Sequence, residues 1–226
     1  LTSSTPTLPI LTLDNPNPES GDAFGNFVAI SGNYVAVGTP RDNAGGFLLD
    51  AGSVYVFDLS SPTPTTPLAT FNNPDPNDDD QFGNNVSLSG NLLYISAWLD
   101  DDLSTIDSGS VYVYDLSSTV PTDPVHVINN PSPNDYDYFG YSIDSFGNYL
   151  IVGAYGDDNG AVDTGVAYLY DLGSATPTVP VETFSSPSST TGVIFGSAVA
   201  ISGNVLLIGA AGESNGANEA GSAFLY

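Results

Sequence analysis

The chain has 226 residues, 41% of them hydrophobic, and sets 26 acidic residues against a single base, Arg41, for a formal net charge of -25. Nucleic acid is excluded as a partner, since phosphate binding needs clustered Lys and Arg, and anionic membrane surfaces fail on the same ground. No apolar run approaches the roughly 18 to 20 residues of a membrane span, and the absence of Cys removes disulfides, thiolate metal centres and thiol catalysis.

Phe-Gly occurs at Phe24-Gly25, Phe82-Gly83, Phe139-Gly140 and Phe195-Gly196, at spacings of 58, 57 and 56 residues, and a fixed period of this length marks a repeat architecture. The first segment, residues 5–18 (TPTLPILTLDNPNP), matches residues 63–76 (TPTTPLATFNNPDP), 120–133 (VPTDPVHVINNPSP) and 176–187 (TPTVPVETFSSP), so the N-terminus is itself a repeat element. Each copy holds four or five strand-forming residues between prolines. That suits an edge strand, because proline is tolerated at strand starts and sheet edges but not in central strands.

After each Phe-Gly a short alternating run, such as residues 26–30 or 197–201, closes on a Gly-Asn pair at Gly32, Gly90, Gly147 or Gly203, a tight hairpin signal. The runs that follow, 34–37, 92–95, 149–152 and 205–208, are continuously apolar, as expected of strands buried on both faces. An acidic loop and a glycine (Gly52, Gly109, Gly165, Gly221) then lead into VYVFDL, VYVYDL, AYLYDL and AFLY, aromatic and aliphatic mixtures that fit a packed pleated surface. Each repeat therefore predicts four strands and no helix. Four-stranded units repeated radially describe the blades of a β-propeller.

In this register the residues resemble the FG-GAP repeats of integrin-alpha-type β-propellers, over nearly the whole chain. The Gly-Ala-Pro position is occupied by Gly38-Thr39-Pro40, Ser96-Ala97-Trp98, Gly153-Ala154-Tyr155 and Gly209-Ala210-Ala211. The resemblance implies an all-β propeller, a single domain over residues 1–226 with repeats near 5–59, 60–116, 117–172 and 173–226. Phe-Gly would open the inner strand 1, and the Pro-flanked segment would be the outer strand 4. The chain then begins with a strand 4 and ends with a strand 3, so the N-terminus is expected to supply the outer strand of the last blade and remove an open edge. A ring closed within one chain, an eight-bladed dimer and an arc of a larger ring all satisfy this offset; the single-chain ring is the expectation. The family usually has seven blades. Its calcium-binding repeats carry a DxDxDG-like loop between strands 1 and 2, where this chain has only Gly-Asn, so that site is not inherited.

In a propeller the 2-3 and 4-1 loops share one face. Sorted in this way, 20 of the 26 acids fall on that face, nine in the 4-1 loops and eleven in the 2-3 loops, and the opposite face is nearly uncharged. Each 2-3 loop is bracketed by two acids: Asp42 with Asp50, Asp100 with Asp107, Asp157 with Asp163, and Glu213 with Glu219. Such pairs could supply the hard oxygen ligands of Ca²⁺; alternatively they cap tight turns, as Asp does in most loops. Trp98 and Tyr155 enter the same face, with Tyr136 and Tyr138 nearby. They are candidate ligand-binding residues that could stack on sugar rings, or packing residues between blades.

Arg41 is expected to form a surface pair with Asp42. The Asn85-Val86-Ser87 glycosylation sequon lies in an inner strand, where it is expected to go unused. With one His, one Arg and neither Lys nor Cys, most general-base and nucleophile constellations cannot be assembled, so no enzyme is expected. The chain opens on Leu1 rather than Met, as a processed or excised product would, and its acidic, Ser/Thr/Pro/Asn-rich composition suits an extracellular or cell-surface setting. The function expected is binding or adhesion to a protein or glycan at the cell surface. The alternatives are a self-associating subunit of a surface layer or fibre, and a lectin-like carbohydrate-binding module.

Overall fold

A computed structural model describes residues 7–43, 48–101, 105–158, 161–188 and 190–226. Strands β1 (Val28–Ser31), β2 (Tyr34–Thr39), β3 (Ser53–Asp58) and β4 (Ala69–Asn72) pair in that order into an antiparallel sheet. The pattern recurs in β5 (Asn85–Ser89) to β8 (His126–Asn129), with β6 (Leu92–Ala97) and β7 (Ser110–Asp115) between them. A third sheet runs from β9 (Phe139–Phe146) through β10 (Tyr149–Ala154) and β11 (Val166–Asp171) to β12 (Glu182–Ser185). The fourth holds only β13 (Phe195–Ser202), β14 (Val205–Ala210) and β15 (Ser222–Leu225). Among the described residues no helix is long and apolar enough to cross a membrane.

Each repeat thus forms one blade, and the Gly-Asn turns do what their chemistry demands: Gly32, Gly90, Gly147 and Gly203 have φ between 58° and 61°, the left-handed geometry of a two-residue hairpin. The core lies between blades. Ala36, Val54 and Val56 of the first sheet are fully buried against Val86, Leu93 and Ile95 of the second, and each such aliphatic side chain contributes roughly 1.5–3 kcal/mol on burial. Outer strands take part as well. Phe71 of β4 meets Tyr114 of the next blade edge-on at 4.9 Å, and Phe184 of β12 meets Tyr226 at 4.8 Å.

The N-terminal segment is the one place where the expected strand is not made. Residues 7–14 join no ladder, and Ile10 is 94% exposed. Leu13 nevertheless packs against Val37, Tyr55 and Phe57 of the first blade. That is the relation Phe71 has to the second blade, so the segment already occupies the place of a preceding blade's outer strand. Its own ladder partner, the free edge of β15, is not beside it in this structure.

Candidate functional site

The 2-3 and 4-1 loops are joined into one face, as the loop sorting requires. The backbone amides of Asp79 and Gln81 donate to the carbonyls of Leu49 and Asp50, those of Tyr136 and Tyr138 to Ile106 and Asp107, and those of Gly192 and Ile194 to Val162 and Asp163, at 2.7–3.1 Å. Side chains add to the joint. The Asp78 carboxylate accepts from the Leu49 amide and that of Asp135 from the Ile106 amide, both at 2.9 Å. Asp102, one of the acids assigned to this face, lies outside the described residues.

The two bracketing acids take different parts in their loops. In the first three repeats the first acid is turned inward: Asp42 accepts from the Ser53 hydroxyl at 2.5 Å and from Tyr55 at 3.4 Å, Asp100 from Tyr112 at 3.1 Å, and Asp157 from Tyr168 at 3.0 Å. Its carbonyl accepts the amide of the glycine that closes the loop, at 2.8–2.9 Å in all four repeats. The second acid takes the left-handed turn conformation, with φ of 51° at Asp50, 52° at Asp107, 51° at Asp163 and 51° at Glu219. Its amide is capped by the residue that follows the first acid: Asn43, Asp101, Asp158 or Ser214. Short polar side chains tolerate that conformation, which suits the turn role of Asp50, Asp107 and Asp163. Among the described residues no three His, Cys, Asp or Glu side chains gather to hold a metal ion.

Arg41 does not take Asp42, whose carboxylate is held by Ser53 and Tyr55; its charge acts instead on Asp50, where it partly offsets the upward push of burial and of Asp79. Ca²⁺ and Mg²⁺ at matched ionic strength are therefore expected to raise the melting temperature alike, by screening the acidic face. Calorimetry that finds a rise confined to Ca²⁺ would instead assign a specific site.

A second set of acids, in the 4-1 loops, is buried. Asp22, Asp80 and Asp137 are 3%, 1% and 0% exposed. Each Oδ2 accepts an asparagine side chain seven residues earlier, Asn15, Asn73 or Asn130, at 2.7 Å. The same oxygen also takes a backbone amide three residues earlier, at 2.6–2.7 Å. The other oxygen of Asp22 and of Asp137 is buried with no hydrogen-bond partner. Burial pushes the Asp80 carboxyl up to about 7, helped by Asp100 and Asp101, and that of Asp137 to about 6, helped by Asp157 and Asp158. In the fourth repeat the position is Val193, also buried, and the local turn rests on Ser186.

The four aromatic candidates do come together. Trp98, at the end of the second blade's 2-3 approach, lies 5.1 Å from Tyr138; Tyr138 stacks on Tyr155 at 5.1 Å and an interplanar angle of 24°, and Tyr136 flanks it at 6.2 Å. A fifth ring, Tyr141, closes the cluster at 5.2 Å from Trp98 and 4.6 Å from Tyr155. The sequence signal for Tyr141 was the residue after Phe-Gly, which is Asn26, Asn84 or Ser197 in the other repeats. The indole N–H of Trp98 donates to Gln81 at 3.3 Å.

Trp98 and Tyr141 also border a cavity of about 480 Å³, which Phe27, Asn84, Asn85, Ile143 and Val199 help to line from all four blades. The blades do not need this cluster to pack. In the fourth repeat the corresponding residues are Gly192, Ile194, Ser197 and Ala211. Asn85, the sequon residue, spends its side-chain amide on the Tyr141 carbonyl at 3.3 Å.

A family model described as the FG-GAP repeat matches four times, over residues 13–57, 68–114, 131–170 and 188–226. Among curated protein sequences none matches this chain. Among solved structures, the computationally designed Ika4 protein aligns over 95% of this chain and 94% of its own, with 12% identity and a TM-score of 0.56. The computationally designed Ika8 protein aligns over 90% of this chain and 45% of its own, also at 12% identity, with a TM-score of 0.49.

Proposed function

Because this chain belongs to the FG-GAP repeat family, we propose that it is a non-enzymatic binding module of the cell surface or extracellular space, and that its ligand enters the cavity beside the aromatic cluster. The observation that carries this reading is the gathering of Trp98, Tyr138, Tyr141 and Tyr155 at two blades of four, beside a cavity of about 480 Å³. A volume of this order falls within the range of small-ligand sites, which are apolar with a few convergent polar groups. Here the polar groups include the Asn84 carboxamide, the Ser197 hydroxyl and the side-chain oxygen of Asn85, whose amide is held by the Tyr141 carbonyl.

The ligand class favoured by this lining is a neutral glycan: aromatic rings pack on the apolar faces of sugars while carboxamides meet hydroxyls. An acidic rim disfavours anionic ligands. The adhesion reading keeps the same face but uses the carboxylate-rich loops as a docking surface for a basic protein. Titration of a panel of neutral oligosaccharides by NMR is expected to shift Trp98 and the Tyr141 ring in the native chain. Trp98→Ala is expected to weaken binding at least about tenfold, the loss of roughly 1.4 kcal/mol, with the fold intact by circular dichroism. Unchanged affinity in that variant would move the ligand away from the cavity.

A further inference from the structure

Each of the three seams between consecutive blades has a receiving side and an inserting side, with Ser96 beside Gly140 at the second, where the other two pair glycine with glycine. At the first seam, Gly38 of β2 receives the carbonyl of Gly83; at the third, Gly153 of β10 receives that of Gly196, and a Cβ on either glycine would collide with the incoming oxygen. Around them the apolar faces are covered: Ala36, Val56, Ile151 and Val113 on receiving sides are all 0% exposed, and Val86, Leu88 and Ile143 on inserting sides are 6–9% exposed.

The two ends of the chain carry the same two faces, unmade. On the fourth blade, Leu207 and Leu225 stand where Ala36 and Val56 stand on the first, and are 43% and 71% exposed. Gly209 stands where Gly38 does, yet its nearest neighbours are atoms of Ala198 in its own sheet, at 3.4 Å and beyond. On the first blade, Val28 and Ile30 correspond to Val86 and Leu88 and are 65% and 67% exposed, and Gly25 has nothing within 4 Å. Inner strands pack β1 on β5, β5 on β9 and β9 on β13, and no packing of that extent joins β13 to β1.

We propose that a second copy of this chain covers both ends. The fourth blade of each copy receives the first blade of the other about a two-fold axis, closing a ring of eight blades. Three successive seams that do not bring the fourth blade back to the first describe an arc, and a heterologous interface closes only when its rotation is completed by further copies. The N-terminal segment then reaches the free edge of β15 in the partner copy. Its register follows from β3 and β4, where Ser53 faces Asn72 and Val54 faces Phe71: Ser222 faces Asp14 and Ala223 faces Leu13. Both apolar ends are covered at once, and no open edge remains.

The chain contains no Cys, so Asp14→Cys with Ser222→Cys is a clean probe; directly opposed strand residues lie within disulfide range. After oxidation, denaturing electrophoresis without reductant is expected to show a covalent dimer, and native mass measurement of the unmodified chain twice the chain mass. Leu225→Asp is expected to leave circular dichroism unchanged, because the side chain is 71% exposed in the chain itself, and to convert the dimer to monomer with at least a hundredfold weaker self-association. Monomeric native mass with a crosslink confined to one chain would overturn the proposal in favour of self-closure. A dimer that survives Leu225→Asp would also overturn it, by placing the interface elsewhere.

Discussion

Gly153→Ala is expected to lower the unfolding free energy by about 3 kcal/mol or more, the range of buried backbone clashes that cannot relax. Gly153 lies within β10 with no left-handed φ, so the cost is steric: its Cβ would fall on the Gly196 carbonyl, with the Ser142 hydroxyl at 2.5 Å. The same hydroxyl donates to the Gly196 carbonyl at 2.7 Å, so both groups that must yield are tied to each other across the seam. Gly147→Ala, in the hairpin of the same blade, is the control. Its φ of 61° makes alanine strained, but no atom lies within 4 Å, and the expected loss is about 1 kcal/mol. Urea denaturation of the two variants measures the difference directly. Equal losses would mean that the blades can separate at this seam without cost, and the account of Phe-Gly as an interblade wedge would fail.

That wedge explains why the fold was legible from so little. Phe-Gly and the strand-2 glycine are distant in sequence and adjacent across a seam, so one steric requirement is written twice, at Gly38 with Gly83 and at Gly153 with Gly196, while Ser96 lies beside Gly140 in the seam between them. Loop chemistry was legible for a similar reason: left-handed turn positions admit Asp, Asn and Gly, and Asp50, Asp107 and Asp163 stand at such positions with the same φ to within a degree. Burial of the inner residues did not follow from alternation alone. Val28 and Val86 stand at the same place in their repeats, four residues after the Phe of Phe-Gly, and differ between 65% and 6% exposure, because exposure here depends on which blade precedes. The unpaired N-terminal segment has the same origin: residues 11–14 read as a strand, but a strand's ladder belongs to its partner's edge.

The site was legible where residue type restricts the outcome and opaque where a pairing had to be known. Trp98, Tyr136, Tyr138 and Tyr155 gather because loops on one face converge, which repeat topology predicts. Tyr141 needed the further step of asking which ring a neighbouring blade presents beside Trp98. The bracketing acids read equally as ligands or as turn residues, and only the hydroxyls of Ser53, Tyr55, Tyr112 and Tyr168 favour the turn reading, since they face the first acid from strand 3. The buried carboxylates of Asp22, Asp80 and Asp137 did leave a signal, an Asn seven residues before each, with Ser186 and Val193 breaking it in the fourth repeat. Seven-residue spacing in a loop carries no periodic meaning, so nothing pointed to burial.

Asp80 and Asp137 give the chain an inverted response to pH. Stability is expected to fall as pH rises from 5 to 8, and the sign follows from the direction of the shifts. The ordinary value for both groups is 3.8, and burial with like-charged neighbours raises Asp80 to about 7 and Asp137 to about 6 in the folded chain. Between those limits the folded chain holds protons that the unfolded chain releases, so the contribution is complete below about 4 and is lost as pH passes through 6 to 7. At 1.36 kcal/mol per pH unit of displacement, the upper limits are about 4 kcal/mol for Asp80 and about 3 kcal/mol for Asp137. Asp80→Asn keeps an oxygen for the Asn73 and Asn77 donors while removing the charge. It is therefore expected to raise the melting temperature at pH 8, leave it nearly unchanged at pH 5, and flatten the profile between them. Asp137→Asn should do the same over a window about one pH unit lower. Thermal denaturation at fixed ionic strength separates this from general repulsion on the acidic face, which salt weakens and these buried groups resist. Stability that rises with pH across the same window would mean that both carboxylates stay charged in the fold, which their burial permits only with a cation or additional donors beside them.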